Sequence, residues 1–518
     1  MITRAILILV MLLAAGIAPA KTLRWSAQAD PFSMDPHGQA DVFSDSVNAL
    51  AYEYLVTRGK DYSIVPALAV SWANPAPNRW ILNLRRDVRF HDGTPFTADD
   101  VVFSFQRARR TPYRWYALQV GEARKIDEHT VELVTPVPNP AQLDMLAVLF
   151  VMSRSWCEKH DCSKPREGYI GRHAMGTGPF RLVSFEPGIA TRHARNPEWW
   201  GIREGLFEGN VEAIEFRPLA SPATRLSALV SGQVDFLLDV PVQDVARLEE
   251  TPGIRVWRSE EMRVTNLVMD QARPELLYST VKGSNPFRDR RVRLALYQAI
   301  DPVAVRDQVM RGFSRVTAIA LPGAAKLGMK DGVELRHPYD PARARALLAE
   351  AGYPNGFGFT LHCPNDRWMN DERLCTAVAA MWSRIGLDVR VEAIPKAQFF
   401  PRASKREISA GLSAWGGNSE QAIFILKPVM HTPSDDGAGS SNFGSFSHPP
   451  LDRLIRLIEV EFDPVERQKL VEQAARMVHD EVLLIPLHRQ VVPWASRNNV
   501  TVVPTPNNWL VPIWVKVN

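Results

Sequence analysis

The carboxyl half of the chain alternates helical and strand-like segments, and this alternation restricts the possible fold more than any other feature. Asp340-Pro341 supplies an N-cap and a first helical proline, and Gly352 with Pro354 ends the helix so begun. Phe359-Thr360-Leu361 reads as a strand, Asp371 to Ile385 as a helix, and Leu387 to Val391 as the next strand. Strands separated by helices line up largely parallel, with the helices covering the sheet faces. A helix pair follows from about Leu451 to His479, restarted at Asp463-Pro464. Before it, the glycine- and serine-rich stretch Ser434 to Ser447 is expected to be a mobile surface loop. In the amino half, Thr22-Leu23-Arg24-Trp25 reads as a first strand. Trp80, Leu82 and Leu84 alternate with Ile81, Asn83 and Arg85, as in a half-buried strand. Asp92-Gly93 turns the chain. Thr97-x-x-Asp100 then resembles a capping box, ahead of Val101, Val102, Phe105 and Ala108 at helical spacing.

A chain of 518 residues exceeds one ordinary domain. At roughly 100–200 residues per domain, two or three are expected. Its 46% of hydrophobic residues can fill the cores that this requires. The formal charge of +4 is spread without a Lys/Arg stripe, which excludes nucleic acid as a partner.

The first residues set the compartment. Arg4 precedes an apolar run, Ala5 to Gly16, and Ala18-Pro19-Ala20 forms a small-x-small cleavage site. A run of about a dozen residues is short for a spanning helix, which needs roughly 20. The pattern predicts a cleaved signal peptide over 1–20 and a mature chain that starts at Lys21 with a charge of +3. No cysteine follows the run to take a lipid, which suits a periplasm. In that oxidising setting the close pairs Cys157/Cys162 and Cys363/Cys375 read as disulfides. The rival is a metal site of Cys157, His160 and Cys162, whose spacing matches no common zinc pattern.

Four ordered segments go further. The first runs through Ala67-Leu68-Ala69-Val70-Ser71-Trp72, Trp80 to Arg86, and Val88-Arg89-Phe90-His91-Asp92-Gly93-Thr94-Pro95-Phe96-Thr97. The second joins Gly176-Thr177-Gly178-Pro179-Phe180 to Arg195-Asn196-Pro197-Glu198-Trp199-Trp200-Gly201. The third is Asn285-Pro286-Phe287-Arg288-Asp289 through Ala299-Ile300-Asp301, and the fourth Tyr339-Asp340-Pro341 through Ala351-Gly352-Tyr353-Pro354. Together they resemble the bacterial extracellular solute-binding proteins of family 5, the peptide, opine and nickel group of ABC importer components. The resemblance spans nearly the whole mature chain. It implies an α/β, two-lobed clamp of the type II periplasmic-binding-protein kind, with an extra subdomain inserted in the first lobe. On that reading 21–53, 180–265 and 488–518 build lobe I, 54–179 is the insertion and 266–487 is lobe II, with crossings near Thr265-Asn266 and His488–Val491.

The resemblance also implies site residues. In dipeptide- and oligopeptide-binding relatives a Trp-x-x-Asp follows a buried strand, and its acid pairs with the peptide's α-amine. Here Trp415-Gly416-Gly417-Asn418 occupies that place. An amide accepts a hydrogen bond from an ammonium but adds no countercharge, and charged partners make bonds roughly twice as strong. The implied ligand therefore does not depend on a free α-amine, and an N-acetylated form is expected to bind nearly as well as the free one. Arg367 resembles the arginine that takes the peptide carboxylate, and a planar guanidinium fork suits that group. Trp368 beside it is placed to stack on ligand or to shield the Cys363–Cys375 loop. Met34, in Phe32-Ser33-Met34-Asp35-Pro36-His37, resembles the family's loop at the cleft edge. His431 is a lone loop histidine, expected in solvent.

His91-Asp92-Gly93 invites a catalytic reading, but adjacent turn residues do not form a base and its orienter, and no nucleophile motif accompanies them. Trp199-Trp200 is expected in the core. The sequence thus reads as a monomeric importer component that needs no cofactor. It would capture a peptide or peptide-like, carboxylate-bearing solute and pass it to an ABC permease in the inner membrane. A periplasmic sensor or chaperone without a permease, and a secreted hydrolase, remain as alternatives at this point.

Overall fold

The computed structural model describes residues 21–39, 41–321, 336–416 and 419–518. The expected signal segment and Asn418 lie outside the described residues. Among those described, eleven strands join one sheet. In chain order they are β1 Thr22–Ala27, β2 Phe180–Glu186, β3 Ala190–Arg195, β4 Ala213–Pro218, β5 Phe236–Leu237, β6 Ile254–Met269, β7 Ser314–Val316, β8 Gly358–Pro364, β9 Asp388–Ile394, β10 Ala410–Trp415 and β11 Ile485–Arg497. Across the sheet they run β2-β3-β4-β1-β5-β11-β6-β10-β8-β9, with β7 on β11.

Two parallel groups lie apart in this order. β1 runs parallel to β4 and β5, and β8 runs parallel to β9 and β10. Between them β6 and β11 pair antiparallel from Ile254↔Arg497 to Leu267↔Ile485. β5 pairs with the Ala495–Ser496 end of this ribbon, and β10 with Val264–Met269 at the other. One long ribbon therefore carries the sheet from the first lobe into the second. The ladder breaks register between Glu260 and Val264 and again between Thr265 and Asn266, and such irregularities bend strands. Thr265, paired with His488, lies at the bend. The carboxyl-half strands β8, β9 and β10 are parallel as their alternation with helices implied, while the whole sheet is mixed because the strands linking the lobes pair antiparallel.

Each unit has its own core. Trp25, Phe216, Phe236 and Trp494 pack in lobe I. Leu267, Phe287, Leu296, Phe359 and Trp382 pack in lobe II. Leu82, Phe105, Val131 and Leu133 pack in the insertion. There a four-stranded antiparallel sheet lies under the helix Ala98–Ala108. Full burial of one such side chain stabilises by roughly 1.5–3 kcal/mol, so separate clusters of this size sustain separate units.

The local signals sit where the sequence places them. Thr97 and Asp100 close their capping box. Asp340 accepts from the Arg343 backbone N–H (2.8 Å). Asp463 accepts from Val465 and Glu466 (2.8 and 2.9 Å), which starts the helix Pro464–Asp480. Both disulfides are present, with Cα–Cα separations of 5.0 Å for Cys157–Cys162 and 6.7 Å for Cys363–Cys375, so those sulfurs are not metal ligands. Two expectations fail. The stretch from Ser434 to Ser447 is pinned: Asn442 donates to the His431 and Phe446 carbonyls (3.1 and 2.9 Å), and Phe446 enters a lobe II core. His431 is buried by that packing, 4% exposed, rather than solvated. No described helix is long and apolar enough to cross a membrane.

Candidate functional site

A cavity of about 620 Å³ opens where the carboxyl ends of the parallel strands meet. This is where open α/β sheets place their ligands, because the chain leaving each strand diverges and leaves a crevice. Gln28 follows β1, Ala220 follows β4 and Asp239 follows β5 on the lobe I side. Arg367 follows β8 and Lys396 follows β9 on the lobe II side. Glu261 and Arg263 of β6 and Gln490 of β11 line it from the ribbon. Both lobes and the strands joining them thus contribute to one cleft.

Arg367 sits on a loop that is fixed at both ends. Cys363 is the penultimate residue of β8 and Cys375 lies in the second turn of the helix Asp371–Ser383, so their disulfide closes the loop. Inside it the Asp371 carboxylate accepts from the backbone N–H groups of Arg367 and Trp368 (both 3.0 Å). The Arg367 side chain is exposed to the water of the cleft yet ringed by protein. Burial, then the nearby Arg263, holds its guanidinium below the ordinary arginine range, while Asp41, Glu261 and Asp239 act against that. Among the described residues no carboxylate closes an ion pair with it, and it lies 5.8 Å from the centre of the Trp368 ring. Trp368 also lines the cleft.

The facing wall is acidic. Asp239 holds a positive φ of 53°, a conformation that costs a residue with a Cβ about 1–3 kcal/mol. Its Oδ1 accepts from the Asn508 side chain (2.8 Å). Burial, with Glu261 adding to it, raises its carboxyl above the usual range. Glu261 is 5% exposed. Its Oε1 accepts from Arg263 (3.0 Å), whereas its Oε2 has no hydrogen-bond partner among the described residues. Gly416 keeps this corner tight, since a Cβ there would come within 2.9 Å of the Arg263 Cβ.

The other sequence candidates lie elsewhere. Met34 is 1% exposed and packs in the lobe I core. Its neighbour Asp35 is locked by Arg107 through two hydrogen bonds (2.9 and 2.7 Å), which turns the loop inward. Trp415 does not line the cavity; its indole N–H donates to the Phe424 carbonyl (2.9 Å) beneath β10. His91 Nε2 meets the Gly178 carbonyl (3.0 Å), and Asp92 accepts from Thr94, so the pair builds a turn and no base. Trp199 and Trp200 are buried, and their indoles donate to Glu53 (3.0 and 3.1 Å). Sequence reasoning missed Asp239 and Glu261. The available signal for Asp239 was an acid directly after the apolar run Phe236-Leu237-Leu238, at the carboxyl end of a strand.

The model of the bacterial extracellular solute-binding proteins, family 5, matches residues 63–436. The chain belongs to this family. Its members are binding components of ABC importers, periplasmic or extracellular, and this family 5 protein is accordingly a solute-binding protein rather than an enzyme. It is 27% identical to heme-binding protein A of Haemophilus influenzae over 83% of this chain and 79% of that protein. It is 25% identical to the dipeptide-binding protein of Escherichia coli over 93% and 92%. Its fold matches a Pseudoalteromonas dipeptide-binding protein in complex with Met-Leu, with a TM-score of 0.80, 19% identity, and coverage of 96% and 100%. It likewise matches an ABC transporter-associated periplasmic binding protein from Helicobacter pylori in complex with the peptide STSA (TM-score 0.79, 21% identity, 96% and 98%).

Proposed function

We propose that this family 5 protein works in the periplasm after loss of residues 1–20, where it captures a peptide or peptide-like solute and hands it to an inner-membrane permease. The solute lies in the interlobe cleft with a carboxylate on Arg367, and Trp368 packs against its apolar part. The observation that carries this reading is the Arg367 guanidinium, held over an open cavity on a doubly fixed loop with no carboxylate among the described residues closing on it. A cation that faces the cleft can take an anion that arrives with the ligand, and a guanidinium fork receives a carboxylate through two parallel hydrogen bonds. The lobes, 21–53 with 180–265 and 488–518 against 266–487, close by bending the ribbon near Thr265 and His488.

Native mass spectrometry of protein purified without refolding tests this. The expected result is a bound small molecule that carries a carboxylate and leaves with its mass unchanged. A solute lacking any acid group, or one converted during incubation, would refute it.

A further inference from the structure

Charges of both signs line the cleft. Lobe II offers Arg367 together with Arg373, Lys396 and the exposed Glu372, while its Asp366 and Asp371 accept from the backbone N–H groups of Lys396 (2.6 Å) and of Arg367 and Trp368 (both 3.0 Å). Lobe I and the ribbon offer Asp239, Glu261 and Asp41, all close enough to Arg367 to act on its charge. Asp41 is committed elsewhere, since its Oδ2 caps the next helix by accepting from Ser44 (2.9 Å). Arg225 on the same wall is also committed, its guanidinium donating to the Leu219 and Ala220 carbonyls (2.6 and 3.0 Å). Asp239 and Glu261 are left. Asp239 has only the neutral Asn508 amide on Oδ1, and no Lys or Arg of the described residues pairs with it. Glu261 spends Oε1 on Arg263 and presents a buried Oε2 without a partner. A buried acceptor left unmade costs the full desolvation of that oxygen. A strained acid and an unsatisfied buried oxygen lining one cavity mark a place where a donor is to arrive.

We infer that Asp239 and Glu261 form the receptor for a cationic group of the solute, so that the ligand is a zwitterion lying with its ammonium on lobe I and its carboxylate on Arg367 of lobe II. This deepens the proposed function and rests on its reading of Arg367. It departs from the sequence expectation that the ligand needs no free α-amine. Such a ligand bridges the lobes by its own two charges. Anions and cations of similar size make only one of the two contacts and do not favour closure to the same extent, because a ligand shifts the lobes only by its differential affinity for the closed state.

The test uses four matched dipeptide pools: free termini, N-acetylated, C-amidated, and blocked at both ends. Each is titrated into the full-length mature protein and read by the concentration that half-saturates thermal stabilisation. The wild type is expected to bind the free pool best and to lose about thirtyfold or more on N-acetylation, as when one side of a buried charge pair is removed. Asp239→Asn and Glu261→Gln, both close in shape, are expected to bring the free and N-acetylated pools together while leaving the penalty of amidation in place. If the wild type binds free and acetylated pools alike but discriminates against amidation, the inference falls and the Arg367 reading stands. If the free-amine preference survives in both variants, the inference falls as well. If amidation makes no difference, the Arg367 reading falls. If no pool stabilises the protein, both fall.

Discussion

At the scale of single residues the account turns on charges held partly out of water. Arg367→Ala is expected to weaken solute binding by about 2–5 kcal/mol, as for a buried pair broken on one side. Arg367→Lys is expected to lose part of the same energy, since a point charge cannot make two parallel bonds. Calorimetric titration of the co-purified solute reads both, and equal affinity for all three proteins would contradict the role. A second expectation concerns pH. Burial pushes His37, His91 and His488 down to about 4 and His193 to about 3, from 6.5. The unfolded chain then binds more protons than the native one below about pH 6.5, so stability is full above that value and is lost as pH falls toward the folded values. Glu53, pushed up by burial to about 7, and Asp45, also raised by burial, act with the opposite sign. Burial also lowers His337, to about 4, and His362, and raises Asp30, Asp100, Asp239 and Asp371; the five imidazoles brought to about 4 or below set the net sign, which is loss in acid. The melting temperature is expected to fall steadily between about pH 7 and pH 5; a flat profile would contradict it. The place of Arg367 on the cleft was legible because it follows a strand within one short loop, whereas its contact with solute is the proposal made above. Asp239 and Glu261 were not, because their meaning depends on a wall assembled from β5 and β6, more than a hundred residues before that loop in the chain.

At the scale of elements, what the sequence announced were starts and stops. Thr97, Asp340 and Asp463 carry side chains that satisfy the first free N–H groups of a helix, a local act that needs no tertiary knowledge. The pinning of Ser434–Ser447 was not legible, since glycine and serine composition does not reveal that Phe446 enters a lobe II core or that Asn442 ties the stretch together through the His431 and Phe446 carbonyls. The direction of the central ribbon was hidden for a like reason: strand periodicity does not say which neighbour a strand will meet. The loop from β8 to the helix Asp371–Ser383 gives the sharpest element-scale expectation. Replacing Cys363 and Cys375 together by Ala removes a loop constraint worth about 3 kcal/mol at most. It also frees the segment that aims Arg367, so solute affinity is expected to fall along with the melting temperature. Equal affinity in the double variant would show that Asp371 and packing alone hold the loop.

At the scale of the whole molecule the lobes touch beside the cleft as well as through the ribbon. Ser419 Oγ donates to Asp144 of the insertion (2.7 Å), and the Gln243 side chain donates to Asn370 (2.7 Å). Trp115 meets Phe424 edge-on, with ring centres 6.2 Å apart. A single net hydrogen bond contributes about 1 kcal/mol, so Ser419→Ala is expected to raise the dissociation constant about fivefold by weakening closure, although it lies outside the cavity lining. Titration at matched conditions reads this, and an unchanged constant would mean that the contact is not made in the bound form. The separation into two parallel groups of strands, each with its own core, would let such closure avoid disturbing either lobe, with the bend confined to the two register breaks of the β6–β11 ladder. Small-angle scattering of the protein with and without its co-purified solute tests the central claim most directly. The account predicts a smaller radius of gyration on binding. At about 100 times the dissociation constant that change should come with roughly 2.7 kcal/mol of added stability. A solute that raises the melting temperature while the radius of gyration stays the same would contradict capture by closure.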